Sequence, residues 1–134
     1  MSPLFLTLAI VHGWASHYSE HVMSEVVHNR TGGGHHIQLD LPPLYHPIAV
    51  ANCGRLGEHV RLRYDGGPWE MATVVDCANP LDGTAEWMEQ NRVLLEMSYQ
   101  RAVELDTVGR AVPVDVVQWG ISDTCVNGPC LVVR

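Results

Sequence analysis

The chain has 134 residues with eight arginines and no lysine, which suits a single domain and excludes chemistry that needs a lysine amine. Hydrophobic residues make up 46% of it and charged residues 17%, a balance that excludes a disordered chain. The net charge of −7 excludes the concentrated positive surface that nucleic acids need. We therefore expect a folded domain with a neutral or weakly charged partner.

The N-terminal segment has three interpretations. Residues 1–11 are largely apolar, but a membrane-spanning helix needs about 20 such residues, so no transmembrane segment is predicted. The length suits the apolar region of a signal peptide, although no basic residue precedes His12. A truncated or misassigned start and a buried strand are the alternatives. We assign residues 1–12 as a possible signal peptide or N-terminal extension.

The remaining pattern predicts a mainly β chain with one or two short helices. Apolar and polar residues alternate most clearly over 59–64, as in a strand with one wet face. The predicted strands are 14–18, 48–51, 59–64, 69–77, 93–95 and 112–119. The helical candidates are 20–30, a turn at 84–90, and 98–105 with Ser98 as N-cap. Residues 35–47, with three prolines, are predicted as a loop or edge strand, and the whole as a small barrel or sandwich.

Four cysteines permit three disulfide pairings, of which we favour Cys53–Cys77 and Cys125–Cys130. Cys53 and Cys77 each follow a short strand, whereas Cys125 and Cys130 flank a sequence that can turn. The alternative is one zinc site made by four thiolates, but such sites usually bring cysteines as closely spaced pairs. Disulfides form in oxidising compartments, so the pattern favours a secreted or cell-envelope protein.

Seven of the eight histidines lie between His12 and His46. His21, Glu25 and His28 would share one face of a helix, a spacing that can gather a metal ion. No His-Glu-x-x-His pattern accompanies them, and we interpret them as a solvated, pH-sensitive face or loop. No metal and no other cofactor is predicted.

Five segments follow one another in a recognisable order. They are GWASHY at 13–18, ANCGRLGEHVRL at 51–62, VVDCANP at 74–80, LLEMSYQRAVEL at 94–105 and GRAVPVDVV at 109–117. Together they resemble the rare lipoprotein A (RlpA)-like family of double-psi β-barrels, which is related to expansins and barwin-like proteins. The resemblance implies a six-stranded double-psi barrel over residues 13–119 with a groove for glycan, followed by a tail at 120–134.

The resemblance also implies a reaction, because RlpA-like proteins include lytic transglycosylases that cleave the glycan strands of peptidoglycan. Asp76 falls at the family's acidic position and is the expected general acid/base. Glu96 falls at a second acidic position, and Glu20, Asp82 or Glu96 could serve as the base of an inverting hydrolase instead. A non-catalytic carbohydrate-binding or expansin-like module, or a barwin-like protein-binding barrel, is the alternative to an enzyme.

Other side chains are candidates for binding the polysaccharide, which is the expected partner of a monomeric protein. Tyr18, Trp69 and Trp87 could stack on sugar rings. Asn52 lies beside the position of a family histidine that this chain lacks, and Asn79 lies in the segment that carries the acidic position. That segment is one residue longer than the family's and lacks its arginine, so an altered or lost activity is also compatible with the sequence.

Overall fold

The computed structural model describes residues 10–31, 44–79 and 81–117. The strands are β1 (Ile10–His17), β2 (His46–Val50), β3 (His59–Tyr64), β4 (Glu70–Cys77), β5 (Val93–Met97) and β6 (Val112–Val117). The helices are α1 (Val22–Thr31), α2 (Thr84–Gln90) and α3 (Tyr99–Glu104), and a 3₁₀ turn covers Cys53–Arg55. The mainly β class is therefore confirmed, with three short helices in the described residues instead of one or two.

The six strands form one closed barrel in the order β1-β5-β2-β4-β3-β6. The pairs β1–β5 and β2–β4 are parallel, and the other four pairs are antiparallel. The two halves of the chain are arranged alike: if β1 is exchanged with β4, β2 with β5 and β3 with β6, the neighbours around the ring and their directions stay the same. Every strand therefore pairs only with strands from the other half of the chain, and the two halves form one structural unit.

The interior of the barrel is filled by the apolar residues that alternate along each strand. In β3, Val60, Leu62 and Tyr64 are buried while Arg61 is exposed, as the alternation predicted. The largest side chains with almost no exposure in this interior are Ile48, Leu62, Leu95 and Met97. Because the apolar residues of each strand point into the barrel, the alternate residues lie on its outer surface, where a site can form.

Several element boundaries differ from the predicted ones. β1 begins at Ile10, so residues 10–12 pair with β6 and the barrel starts before residue 13. β2 begins at His46, inside the predicted loop. The strand tolerates a proline because Pro47 lies where β2 pairs with β4 but has no register partner in β5. No helix in the described residues is long and apolar enough to cross a membrane. Residues 32–43 and the Cys125–Cys130 pair lie outside the described residues.

Candidate functional site

Four neighbouring strands bring polar side chains into one row on the outside of the barrel. Glu96 of β5 is in register with Ser16 of β1 and with Ala49 of β2. Ala49 is in turn in register with Asp76 of β4. Neighbouring strands are about 4.8 Å apart, so the Cα atoms of the two acidic residues lie about 10 Å apart. Since Glu96 stands between the buried core residues Leu95 and Met97, this row faces away from the core.

A bulge in β4 turns Asp76 toward that face. The pairing of β4 with β2 passes from Val74 to Asp76 and skips Val75. The extra residue allows Val75 to remain fully buried against Met23 of α1. Bulges commonly redirect side chains next to functional sites. Here the bulge brings the carboxylate of Asp76 into the outer row, beside α1.

Two donors hold the carboxylate of Asp76. The hydroxyl of Tyr18 donates to Oδ2 at 2.6 Å, and Nη2 of Arg30 donates to Oδ1 at 3.3 Å. Nε of Arg30 also donates to the carbonyl oxygen of Val75 at 3.0 Å, which fixes α1 to β4. Both oxygens of Asp76 therefore accept hydrogen bonds, and the one from Arg30 comes from a charged donor. The side chain remains 23% exposed, so it is still in contact with solvent.

Glu96 has a different environment. Burial raises the pKa of its carboxyl group above the ordinary value, and the negative charge of Asp76 raises it further. A hydrogen bond with Ser16 and the proximity of His17 lower the pKa, but the balance remains upward. Glu96 therefore retains its proton to a higher pH than an ordinary glutamic acid. Titratable groups whose surroundings differ in this way are candidates for separate acid and base roles.

Tyr18 and His17 support this arrangement from the end of β1. Burial, followed by the hydrogen bond to Asp76, raises the pKa of Tyr18 far above its usual value, so its hydroxyl remains a neutral donor. Nε2 of His17 accepts a hydrogen bond from the backbone N–H of Gly109 at 2.8 Å, while its Nδ1 lies 2.8 Å from the carbonyl oxygen of Tyr18. The ring is thus held between two segments of backbone.

The disulfide Cys53–Cys77 is confirmed, and it joins the turn after β2 to the end of β4, directly after Asp76. Its Cα atoms are 4.9 Å apart, and Cys77 follows Asp76 in the chain. The register already pairs Val50 with Cys77, and the backbone N–H of Ala78 donates to the carbonyl oxygen of Val50 at 2.9 Å. The disulfide therefore fixes the ends of β2 and β4 next to the carboxylate.

The two predicted asparagines support turns. Oδ1 of Asn52 accepts from the backbone N–H of Gly54 at 2.8 Å and caps the 3₁₀ turn. Oδ1 of Asn79 accepts from the backbone N–H of Leu81, also at 2.8 Å. These contacts use the side-chain oxygens and leave the amide groups available for a ligand.

The two predicted tryptophans lie on different parts of the chain, one directly before β4 and the other on α2. Trp69 precedes Asp76 by seven residues of extended chain, so it lies about 20 Å away at the other end of β4. The guanidinium of Arg63 stacks on its ring at 4.7 Å from the centroid. Trp87 lies on α2 with 56% exposure. Trp69 is therefore distant from Asp76 along β4, and stacking of its ring on a sugar stays a prediction.

The histidines near α1 are exposed to solvent, and His21 lies directly before the helix. His21 precedes α1 with a left-handed backbone (φ 70°), and its Nε2 lies 3.4 Å from a carboxylate oxygen of Glu20. Glu25 and His28 lie within the helix. In residues 10–31, 44–79 and 81–117, no group of three or more potential metal ligands is placed to hold an ion.

Replacing Glu96 by Gln is expected to stabilise the protein at neutral pH. An acid whose pKa is raised in the folded state favours folding when protonated, and this contribution is lost as the pH rises through the raised pKa. Glutamine keeps the neutral form at all pH values. Urea unfolding should therefore give Glu96→Gln a higher midpoint than wild type at pH 7 and an equal one near pH 4. A midpoint at pH 7 no higher than that of the exposed control Glu86→Gln would contradict this.

The site as a whole combines two carboxyl groups with different surroundings. Burial raises the pKa of Glu96, whereas the side chain of Asp76 is fixed by hydrogen bonds from Tyr18 and Arg30. Sequence reasoning identified both acids but missed Arg30, whose contact spans 46 residues and leaves no local signal. It also missed Ser16, which only the register reveals. No protein-family model matches the chain, and a search of curated proteins finds no match.

Proposed function

We propose that this protein cleaves the glycan strands of peptidoglycan in the manner of a lytic transglycosylase, on an RlpA-like double-psi barrel. Support for the fold comes from the closed ring of six strands, its two parallel pairs and its symmetric halves. The disulfide supports an oxidising, secreted or cell-envelope location. A fold does not determine a reaction, so the functional proposal depends on the site.

The observation that carries the proposal is the pair formed by Glu96 and Asp76. The upward shift of the pKa of Glu96 is in the direction that a general acid needs. Asp76, which accepts hydrogen bonds on both oxygens, suits stabilisation of positive charge. The sequence favoured Asp76 as the general acid/base, but these contacts favour Glu96 for proton transfer.

In the proposed reaction, the carboxyl group of Glu96 donates its proton to the glycosidic oxygen and the bond from that oxygen to C1 breaks. The carboxylate of Asp76 offsets the positive charge that develops on the sugar ring. The 6-hydroxyl oxygen of the same sugar then bonds to C1 and closes an anhydro ring. Its proton passes to the Glu96 carboxylate, which restores the acid. The step consumes no water and needs no other reactant.

The test is digestion of purified, peptide-stripped glycan strands, with products identified by mass spectrometry. Wild type should release anhydromuramoyl ends, while Glu96→Gln and Asp76→Asn should each lose activity by about a hundredfold or more. Glu86→Gln on α2, which lies outside the proposed machinery, should retain activity. The wild-type rate should fall as the pH rises through the raised pKa of Glu96, because the donor is then ionised.

The product separates the possible reactions. Hydrated reducing ends would indicate hydrolysis, with water as the nucleophile, and would overturn the transglycosylase assignment. No products from correctly folded wild type would overturn the enzymatic proposal altogether.

A second candidate, a non-catalytic carbohydrate-binding module, is favoured by the exposed indole rings. Trp87 and Trp14 are 56% and 46% exposed, and an aromatic ring is a common platform for a sugar. Co-sedimentation with insoluble peptidoglycan would support this function if it occurs without cleavage and weakens in Trp87→Ala.

A further inference from the structure

A cavity of about 320 Å³ lies where β2 ends and β5 begins. It is bounded by the 3₁₀ turn on one side and by α2 on the other. Its apolar lining consists of Val11, Val50, Ala51, Met88, Val93 and Leu94. Met88 and Val50 are almost fully buried, which gives the cavity a fixed floor. Its size is at the lower end for small-ligand sites, which suits one sugar unit together with its substituent.

The rim of this cavity is polar, and the charges of its two arginines and one glutamate are balanced by Glu58, which lies beside Arg55. Asn52, Arg55, Glu89 and Arg92 complete the lining. Nη1 of Arg55 forms an ion pair with Glu58 at 3.3 Å, and the charge of Arg92 is offset by that of Glu89. This local neutrality contrasts with the net charge of −7 on the whole chain. A neutral group with both a donor and an acceptor fits this rim better than an ion does.

Arg92 is held at the rim by its backbone. It adopts a left-handed conformation (φ 56°), which is unfavourable for a residue with a side chain and is enriched at functional sites. Its carbonyl oxygen accepts a hydrogen bond from the N–H of Trp14 at 2.8 Å. Nη2 of its guanidinium donates to the carbonyl oxygen of His12 at 2.6 Å. A guanidinium has five N–H donors, so this contact leaves it able to donate to a ligand.

The cavity lies close to the two carboxyl groups. Leu94, which lines it, and Glu96 are two residues apart in β5 and share one face. A strand rises about 3.3 Å per residue, so these two positions are about 7 Å apart. A glycan that contacts Glu96 can therefore place a substituent of a nearby sugar in the cavity.

We propose that this cavity binds the acetamido group of an N-acetylhexosamine. The methyl group would pack on the apolar floor, the carbonyl oxygen would accept a hydrogen bond from Arg92, and the N–H would donate to Glu89 or to Asn52. The choice of a sugar rests on the proposed function, whereas the choice of the acetamido group rests on the cavity itself. The proposal makes the protein selective for acetylated glycans over plain glucans.

The probes are the β-1,4 trimers of N-acetylglucosamine and of glucose, which differ only in the acetamido group. Isothermal titration of wild type should show the acetylated trimer binding about tenfold more tightly. Arg92→Gln and Glu89→Gln should each reduce that preference several-fold. Arg110→Gln and Glu86→Gln, whose side chains contact Asp106 and Gln90 instead, should preserve it.

Equal affinity of wild type for the two trimers would overturn the proposal, as would an unchanged preference in both rim variants. Circular dichroism checks that each variant is folded. Glu89 lies on α2 and Arg92 follows that helix, so if one of the two rim variants misfolds, the other still tests the proposal. Selective binding without glycan cleavage would support the cavity and remove the enzymatic function. Glycan cleavage without a preference for the acetylated trimer would support the enzymatic function and overturn the cavity proposal.

Discussion

Replacing Cys53 and Cys77 together by serine is expected to lower the free energy of unfolding by about 3 kcal/mol. The disulfide closes a loop with a sequence separation of 24, and in the chain-entropy model such a cross-link stabilises mainly by restricting the unfolded chain. Equilibrium unfolding in urea without reductant measures the difference.

The site should respond as well, because the disulfide holds the residue that follows Asp76. Hydrogen exchange of the Ala78 amide, which donates to the carbonyl oxygen of Val50, should become faster than the general loss of stability explains. The matched reference is wild type treated with reductant, which should approach the double variant in stability. An unchanged urea midpoint in the double variant would contradict the prediction.

Arg30→Met is expected to lower the free energy of unfolding by about 2 kcal/mol, because it removes the guanidinium that joins Asp76 to α1. Breaking a fully buried ion pair from one side costs about 3–5 kcal/mol, and partial solvent contact of Asp76 reduces that figure. The carbonyl oxygen of Val75 also loses its Nε donor. Methionine retains most of the apolar stem, so the effect reports on the charged head.

A double-mutant cycle with Asp76→Asn measures the coupling of the two side chains by urea unfolding. The combined variant should lose less stability than the sum of the two single variants. Arg110→Met provides the exposed control and should change stability by less than about 0.5 kcal/mol. Exact additivity in the cycle would show that Arg30 acts independently of Asp76.

The parts of the fold that were predictable are those encoded locally. The alternation over 59–64 defines β3, and Ser98 does cap α3 by accepting from the backbone N–H of Arg101 at 3.0 Å. Both depend on neighbouring residues alone. The Cys53–Cys77 disulfide was predictable because each cysteine follows a strand.

The candidate site was predictable only in part, because its geometry comes from strand register. Asp76 and Glu96 could be selected as acids, but the bulge at Val75 that turns Asp76 outward depends on pairing with β2. The contact of Arg30 with Asp76 likewise joins a helix and a strand that are distant in sequence.

The pairing of every strand with the opposite half of the chain has a consequence for how the protein folds. Among the described strands, only β3 and β4 are consecutive and pair across a short connection, and this hairpin joins the two halves. Each of the other five pairs joins strands that have at least one other strand between them in the chain, so longer loops must close before these pairs compensate for the lost entropy. We therefore expect slow, cooperative folding, in which the row that holds Asp76 and Glu96 forms only when β2 has paired with both β4 and β5.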